Sequence, residues 1–78
     1  MQFDNMVVGK TIREKRIQKG MTQELLSGLA GIARTHLTMI ENGTKQPNFE
    51  TIWRIACALD MEPSKLVKDI EDNHHYSE

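Results

Sequence analysis

A chain of 78 residues, 38% hydrophobic and 27% charged, has room for one domain near the lower size at which an apolar core holds a fold, and is too apolar to be disordered. Its one cysteine, Cys57, excludes an internal disulfide, and no apolar run approaches the ~20 residues of a membrane span. The net charge of -1 hides a polarised chain: Lys10, Arg13, Lys15, Arg16 and Lys19 outnumber Asp4 and Glu14 in the first twenty residues, while residues 48–78 carry three basic and seven acidic groups. One end can therefore meet an anion while the other meets solvent or a partner. The N-terminus lacks the apolar stretch of a signal peptide, and with the single thiol this makes the cytoplasm the expected location.

The first helix is expected from about Met6 to Lys19, where Val8, Ile12 and Arg16 recur at every fourth residue, and Gly20 ends it. Thr22 is a good N-cap for a second helix whose apolar stripe is Leu26 and Leu29, and Gly31 ends that one. A third helix follows within about two residues, from Ala33 or Arg34 to Asn42, with Leu37 and Ile40 inward and Gly43 closing it. Pro47 makes the next stretch a loop, and Asn48 caps a fourth helix from Phe49 to Leu59 with an inner stripe of Phe49, Ile52, Ile55, Ala56 and Leu59. Pro63 fits the first turn of a fifth helix ending near Glu71. The organisation expected is a compact all-α domain of five helices over residues 1–71, with a frayed polar tail over residues 72–78.

The second and third helices are short and almost touch in sequence. A helix, a turn of three or four residues containing glycine, and another helix make the helix-turn-helix arrangement. The short turn fixes a large angle, so the second helix of the pair protrudes and can enter the DNA major groove, ~12 Å wide. Leu37 and Ile40 supply its inner face, and Arg34, Thr35, His36, Thr38 and Met39 lie at its start or on its outer arc. Two charges look inward, Arg16 on the first helix and Glu41 at the edge of the third helix's apolar face. An unpaired buried charge is costly, so they are expected to pair.

The stretch "MTQELLSGLAGIARTHLTMIENG" resembles the helix-turn-helix of phage-repressor and Cro-type regulators, the XRE family, through Gln23 after Thr22, Leu26, Gly31, Leu37, Ile40 and the run Glu41-Asn42-Gly43. The resemblance runs from about Gly9 to Val67, and "CALDMEP" adds a weaker similarity to the controller proteins of restriction–modification systems. It implies a lambda-repressor-like fold and a repressor or autoregulator that binds an inverted-repeat operator as a homodimer. It implies base contacts from Arg34, Thr35, His36, Thr38 and Met39, phosphate contacts from Gln23, Asn42, Thr44 and Lys45, and a structural salt bridge between Arg16 and Glu41. Gln23 either touches phosphate or braces the third helix. Arg34 either reads a guanine or grips a phosphate, and His36 is either a reader or an ordinary surface histidine. The sequence departs from the family pattern at Ala33, where a capping Ser or Thr is usual, at Lys15, where an apolar residue is common, and at Leu25, where a polar one is usual. Leu25 and Leu29 are expected to pack against the first helix.

With no separate dimerisation segment in the sequence, an interface between copies is expected from the last two helices: Trp53, Met61, Leu66, Val67 and Ile70 are the candidates, although Trp53 can equally pack within the monomer. Cys57 is expected to be a small buried or half-buried side chain. His74 and His75 lie in the tail without the further ligands that a zinc site needs. No glycine-rich phosphate loop, nucleophile motif or paired catalytic carboxylates stand out, so neither an enzyme nor a cofactor or small-molecule effector is expected. The rival reading is a protein-binding module on the same fold, such as an antitoxin, with Leu25, Leu29 and Trp53 as the surface for a toxin or another protein.

Overall fold

Local capping chemistry sets the helix boundaries. The computed structural model describes residues 2–77, and Met1 and Glu78 lie outside the described residues. The helices are α1 (Asn5–Gln18), α2 (Gln23–Ala30), α3 (Arg34–Glu41), α4 (Phe49–Ala58) and α5 (Pro63–Ser77). Asp4 accepts from the Met6 N–H at 2.9 Å, Thr22 from the Leu25 N–H at 3.0 Å and Asn48 from the Thr51 N–H at 2.8 Å. Each satisfies one of the donors a helix start leaves unpaired. Ala33 has no side chain with which to do so, and α3 starts without a side-chain cap.

Contacts of α1 with α3 and α5, of α2 with α3 and α4, and of α4 with α5 enclose one core. Ile12, Leu26, Leu37, Ile55, Leu59 and Leu66 are fully buried in it, so every helix contributes. The core's role for function is to seat α3. On that helix Leu37 and Ile40 go inward, while Arg34, Thr35 and Met39 stay outside. Gly31 takes φ 72° between α2 and α3, a left-handed conformation that costs a glycine nothing, and the Ile32 N–H closes the turn on the Ser27 carbonyl at 3.0 Å.

Four expectations from the sequence are corrected. Phe49 is exposed, because as the first residue of α4 it projects beyond the neighbours that cover Ile52 and Ile55. Leu25 and Leu29 are also exposed, since α2 packs through Leu26, Ser27 and Ala30 rather than turning its leucine pair to α1. Cys57 is exposed. The fifth helix does not stop near Glu71 but continues to Ser77, and His74 within that stretch is buried. Its partners lie far back in sequence: Asn73 donates to the Thr11 hydroxyl at 2.7 Å, and His74 Nε2 accepts from the Asp4 N–H at 3.1 Å. These bonds hold the polar end of α5 against α1.

Candidate nucleic-acid interface

The inner edge of α3 is fixed by a polar network. Arg16 donates twice to Glu41, from Nε to Oε2 at 2.8 Å and from Nη2 to Oε1 at 3.0 Å, and Nη1 donates to the Met21 carbonyl at 2.8 Å. Glu41 is buried, so this forked pair replaces its hydration, and the planar guanidinium matches both carboxylate oxygens. Gln23 Nε2 adds a donor to Glu41 Oε1 at 3.1 Å, and the Thr38 hydroxyl donates to Gln23 Oε1 at 2.9 Å, with the Arg34 carbonyl 3.0 Å away as a competing acceptor. Gln23 is thus seen bracing α3: its amide joins α2 to both Thr38 and Glu41. Thr38 is half-buried, and its hydroxyl belongs to that brace.

The outer arc is different. Arg34 and Thr35 are exposed, Met39 is exposed beside them, and His36 is half-buried at the edge of the arc. Arg34 makes no ion pair among the described residues. After α3 the chain forms a turn of its own: Asn42 Oδ1 accepts from the Thr44 N–H at 3.0 Å and lies 2.7 Å from the Thr44 hydroxyl. Asn42 and Thr44 therefore shape the turn, and Lys45 extends from it without an ion pair among the described residues.

Charge divides along the same line. Lys15 and Lys65 both pair with Asp69, at 3.0 Å each, Arg54 with Glu50 at 3.3 Å, and Lys68 with Asp72 at 3.2 Å. Lys10, Arg13, Lys19, Arg34 and Lys45 have no such partner among the described residues. The unneutralised cations belong to α1 and its C-cap, α3 and the turn after α3, whereas the last two helices carry their charge in pairs.

A helix-turn-helix family model matches residues 12–66, most of the chain. The chain belongs to the helix-turn-helix family. YqaF of Bacillus subtilis, an HTH-type transcriptional regulator, is 46% identical over 61 residues, which cover 78% of this chain and 80% of YqaF. The ImmF control region 10 kDa protein of Bacillus phage phi105 is 34% identical over 64 residues, covering 82% and 71% of the two chains. Among solved structures, the restriction–modification controller protein C.AhdI from Aeromonas hydrophila matches at a TM-score of 0.77 and 35% identity, over 80% of this chain and 94% of that one. The resemblance carried by residues 22–43 is thus met by a transcriptional regulator, a phage control protein and a controller protein.

Two features of this helix-turn-helix domain escape a reading of the sequence. Gly9 lies where α1 crosses the end of α3, and a Cβ placed on it would run into the backbone carbonyl oxygens of Ile40 and Glu41. A glycine inside a predicted helix was the available signal, but its partner is thirty residues away. The second concerns the expected interface. Leu66 and Ile70 are buried in the core and offer no free surface, while Met61 is half-buried against it. Leu66 and Ile70 are therefore not interface residues, because the inward face of α5 is already covered by α1 and α4. Trp53 and Val67 remain exposed, joined by Phe49, whose ring meets that of Trp53 edge-on at 6.1 Å between centroids.

Proposed function

We propose that this helix-turn-helix protein is a sequence-specific regulator of transcription, a repressor or autoregulator, that binds double-stranded DNA as a homodimer with α3 in the major groove. The observation that carries the reading is the division of α3 into two faces. One is locked to α1 and α2 through Arg16, Glu41, Gln23 and Thr38; the other presents the side chains of Arg34, Thr35 and Met39 to solvent, with no side-chain partner among the described residues. A reading helix needs both properties, because base contacts depend on a fixed approach angle and on free donors.

In this reading Arg34 donates two hydrogen bonds to guanine O6 and N7, and Thr35 and Met39 offer apolar contact to a thymine methyl group. His36 contributes from the rim. Lys45 neutralises a phosphate, and Asn42 and Thr44 set the turn that aims it, while the spare amide proton of Gln23 is free for a neighbouring phosphate. Two copies meeting through Phe49, Trp53 and Val67 place two α3 helices on one side of the duplex. Control then follows from concentration, through coupled dimerisation and operator occupancy.

The test is selection of duplex DNA by the purified chain at about 0.15 M salt, where nonspecific phosphate attraction is reduced. Enrichment of an inverted repeat with half-site centres about one helical turn apart is the expected result. No enrichment by folded protein overturns the reading and favours a protein-binding module such as an antitoxin. The exposed Leu25 and Leu29 would then be the first surface to probe.

A further inference from the structure

Three shallow grooves meet at Val67. Trp53 and Phe49 line one, Phe49 and Phe3 line the second, and Phe3 with His74 lines the third. Phe3 is 62% exposed, Phe49 71% and Trp53 51%. Three aromatic rings around one valine leave on the order of 400 Å² of apolar side chain in water, within the size range of a functional patch. The rim carries both signs: Lys68 sits 3.6 Å from Glu71, and both border the Trp53 groove. A rim of mixed sign suits a two-fold contact, in which the same patch must complement itself.

Phe3 belongs to this face only because the segment before α1 is tied down. Asp4 turns its side chain back to cap α1, which leaves its own backbone N–H pointing out of the helix. His74 Nε2 accepts that N–H at 3.1 Å, and a backbone N–H can only donate, so Nε2 carries the lone pair. The proton is therefore on Nδ1, which donates to the Ile70 carbonyl at 2.8 Å. Both ring nitrogens of a buried imidazole are thereby used, and the Phe3 ring lies against it at 6.0 Å between centroids. Phe3 is both anchored and uncovered, the state that costs least to bury in an association.

We propose that residues 2–4 form a strap, held on α5 by His74, that carries Phe3 into the contact with a second copy of the chain. The interface between copies is then built from both ends of the sequence, with His74 as a positioning residue rather than a contact. This inference rests on the homodimer reading.

Sedimentation equilibrium on the untagged chain tests it. The wild type is expected to dimerise. Trp53→Ser and Phe3→Ser are each expected to raise the dissociation constant at least tenfold, with unchanged helical content in the diluted monomer. His74→Ala is expected to act like Phe3→Ser, and His74→Gln to restore most of the affinity, because an amide side chain can accept from Asp4 and donate to Ile70. A wild type that stays monomeric overturns the homodimer reading and the strap with it. A dimer weakened by Trp53→Ser but not by Phe3→Ser overturns the strap alone and leaves the homodimer standing. A loss through Phe3→Ser without rescue by His74→Gln removes His74 from the account.

Discussion

Arg16 and Glu41 form a two-pronged ion pair, at 2.8 and 3.0 Å, that joins α1 to the last turn of α3. Only 3% of the Glu41 side chain is exposed, against 73% of Glu50 in its pair with Arg54. Removing one partner of a buried pair leaves an uncompensated charge, which costs about 3–5 kcal/mol, whereas an exposed pair is worth about 0.3–0.5 kcal/mol. Glu41→Ala is therefore expected to lower the melting temperature far more than Glu50→Ala. Equal melting temperatures in calorimetry would contradict a buried, structural role for this pair.

Gly9 and Gly28 are both helical, and alanine is expected to act oppositely at the two. At Gly9 the added methyl meets the backbone carbonyls of Ile40 and Glu41, so α1 and α3 must shift apart to admit it. At Gly28 there is open space, and alanine gains up to about 1 kcal/mol of helix propensity. Urea midpoints of Gly9→Ala and Gly28→Ala should move in opposite directions from the wild type.

Ala33 stands at the cap position of α3 without a capping side chain, in the extended conformation that caps adopt. Ala33→Ser is expected to stabilise the protein by about 1 kcal/mol. In a domain this small that is roughly a 4–8 °C rise in melting temperature, measurable by thermal unfolding.

Asp69 links Lys15 of α1 to Lys65 of α5. Burial pushes its carboxyl pKa up, but hydrogen bonds and charge from Lys65 and Lys15 outweigh this and hold it below the ordinary 3.8. A carboxyl lowered in the folded state stabilises in full above its unfolded pKa and loses that contribution as the pH falls through the folded value. Asp69→Asn should therefore be less stable than the wild type at neutral pH, with the two converging below pH 3.8. Unfolding midpoints from pH 6 downward, at about half-unit steps, will show whether the curves converge.

Arg34 and Lys45 should be separable on the selected operator. Arg34→Ala is expected to cost about 1–3 kcal/mol and to relax the preference at one base pair. Lys45→Ala should weaken binding evenly across sequences and reduce the salt slope by about one. Titrations at several salt concentrations, on the operator and on single-base variants, distinguish the two roles.

The sequence by itself determined most of what is local. The Asp4 cap was not foreseen, but Thr22 and Asn48 were legible as caps, Gly20, Gly31 and Gly43 as helix ends, and Leu37 and Ile40 as the inner face of α3. Capping and periodicity are set by residues within four positions of one another, so a single sequence contains them. The Arg16–Glu41 pair was legible too, because two inward charges of opposite sign have few alternatives. Tertiary structure alone decided which apolar residues are covered. Phe49 and Leu29 fit their helical stripes yet face solvent, and Leu66 and Ile70 are spent in the core. Periodicity gives a residue's angle around its helix but not how far the neighbouring helix extends over it. The same holds for Gly9 against Ile40 and for His74 against Asp4, seventy positions apart, where the partner exists only once the helices are packed.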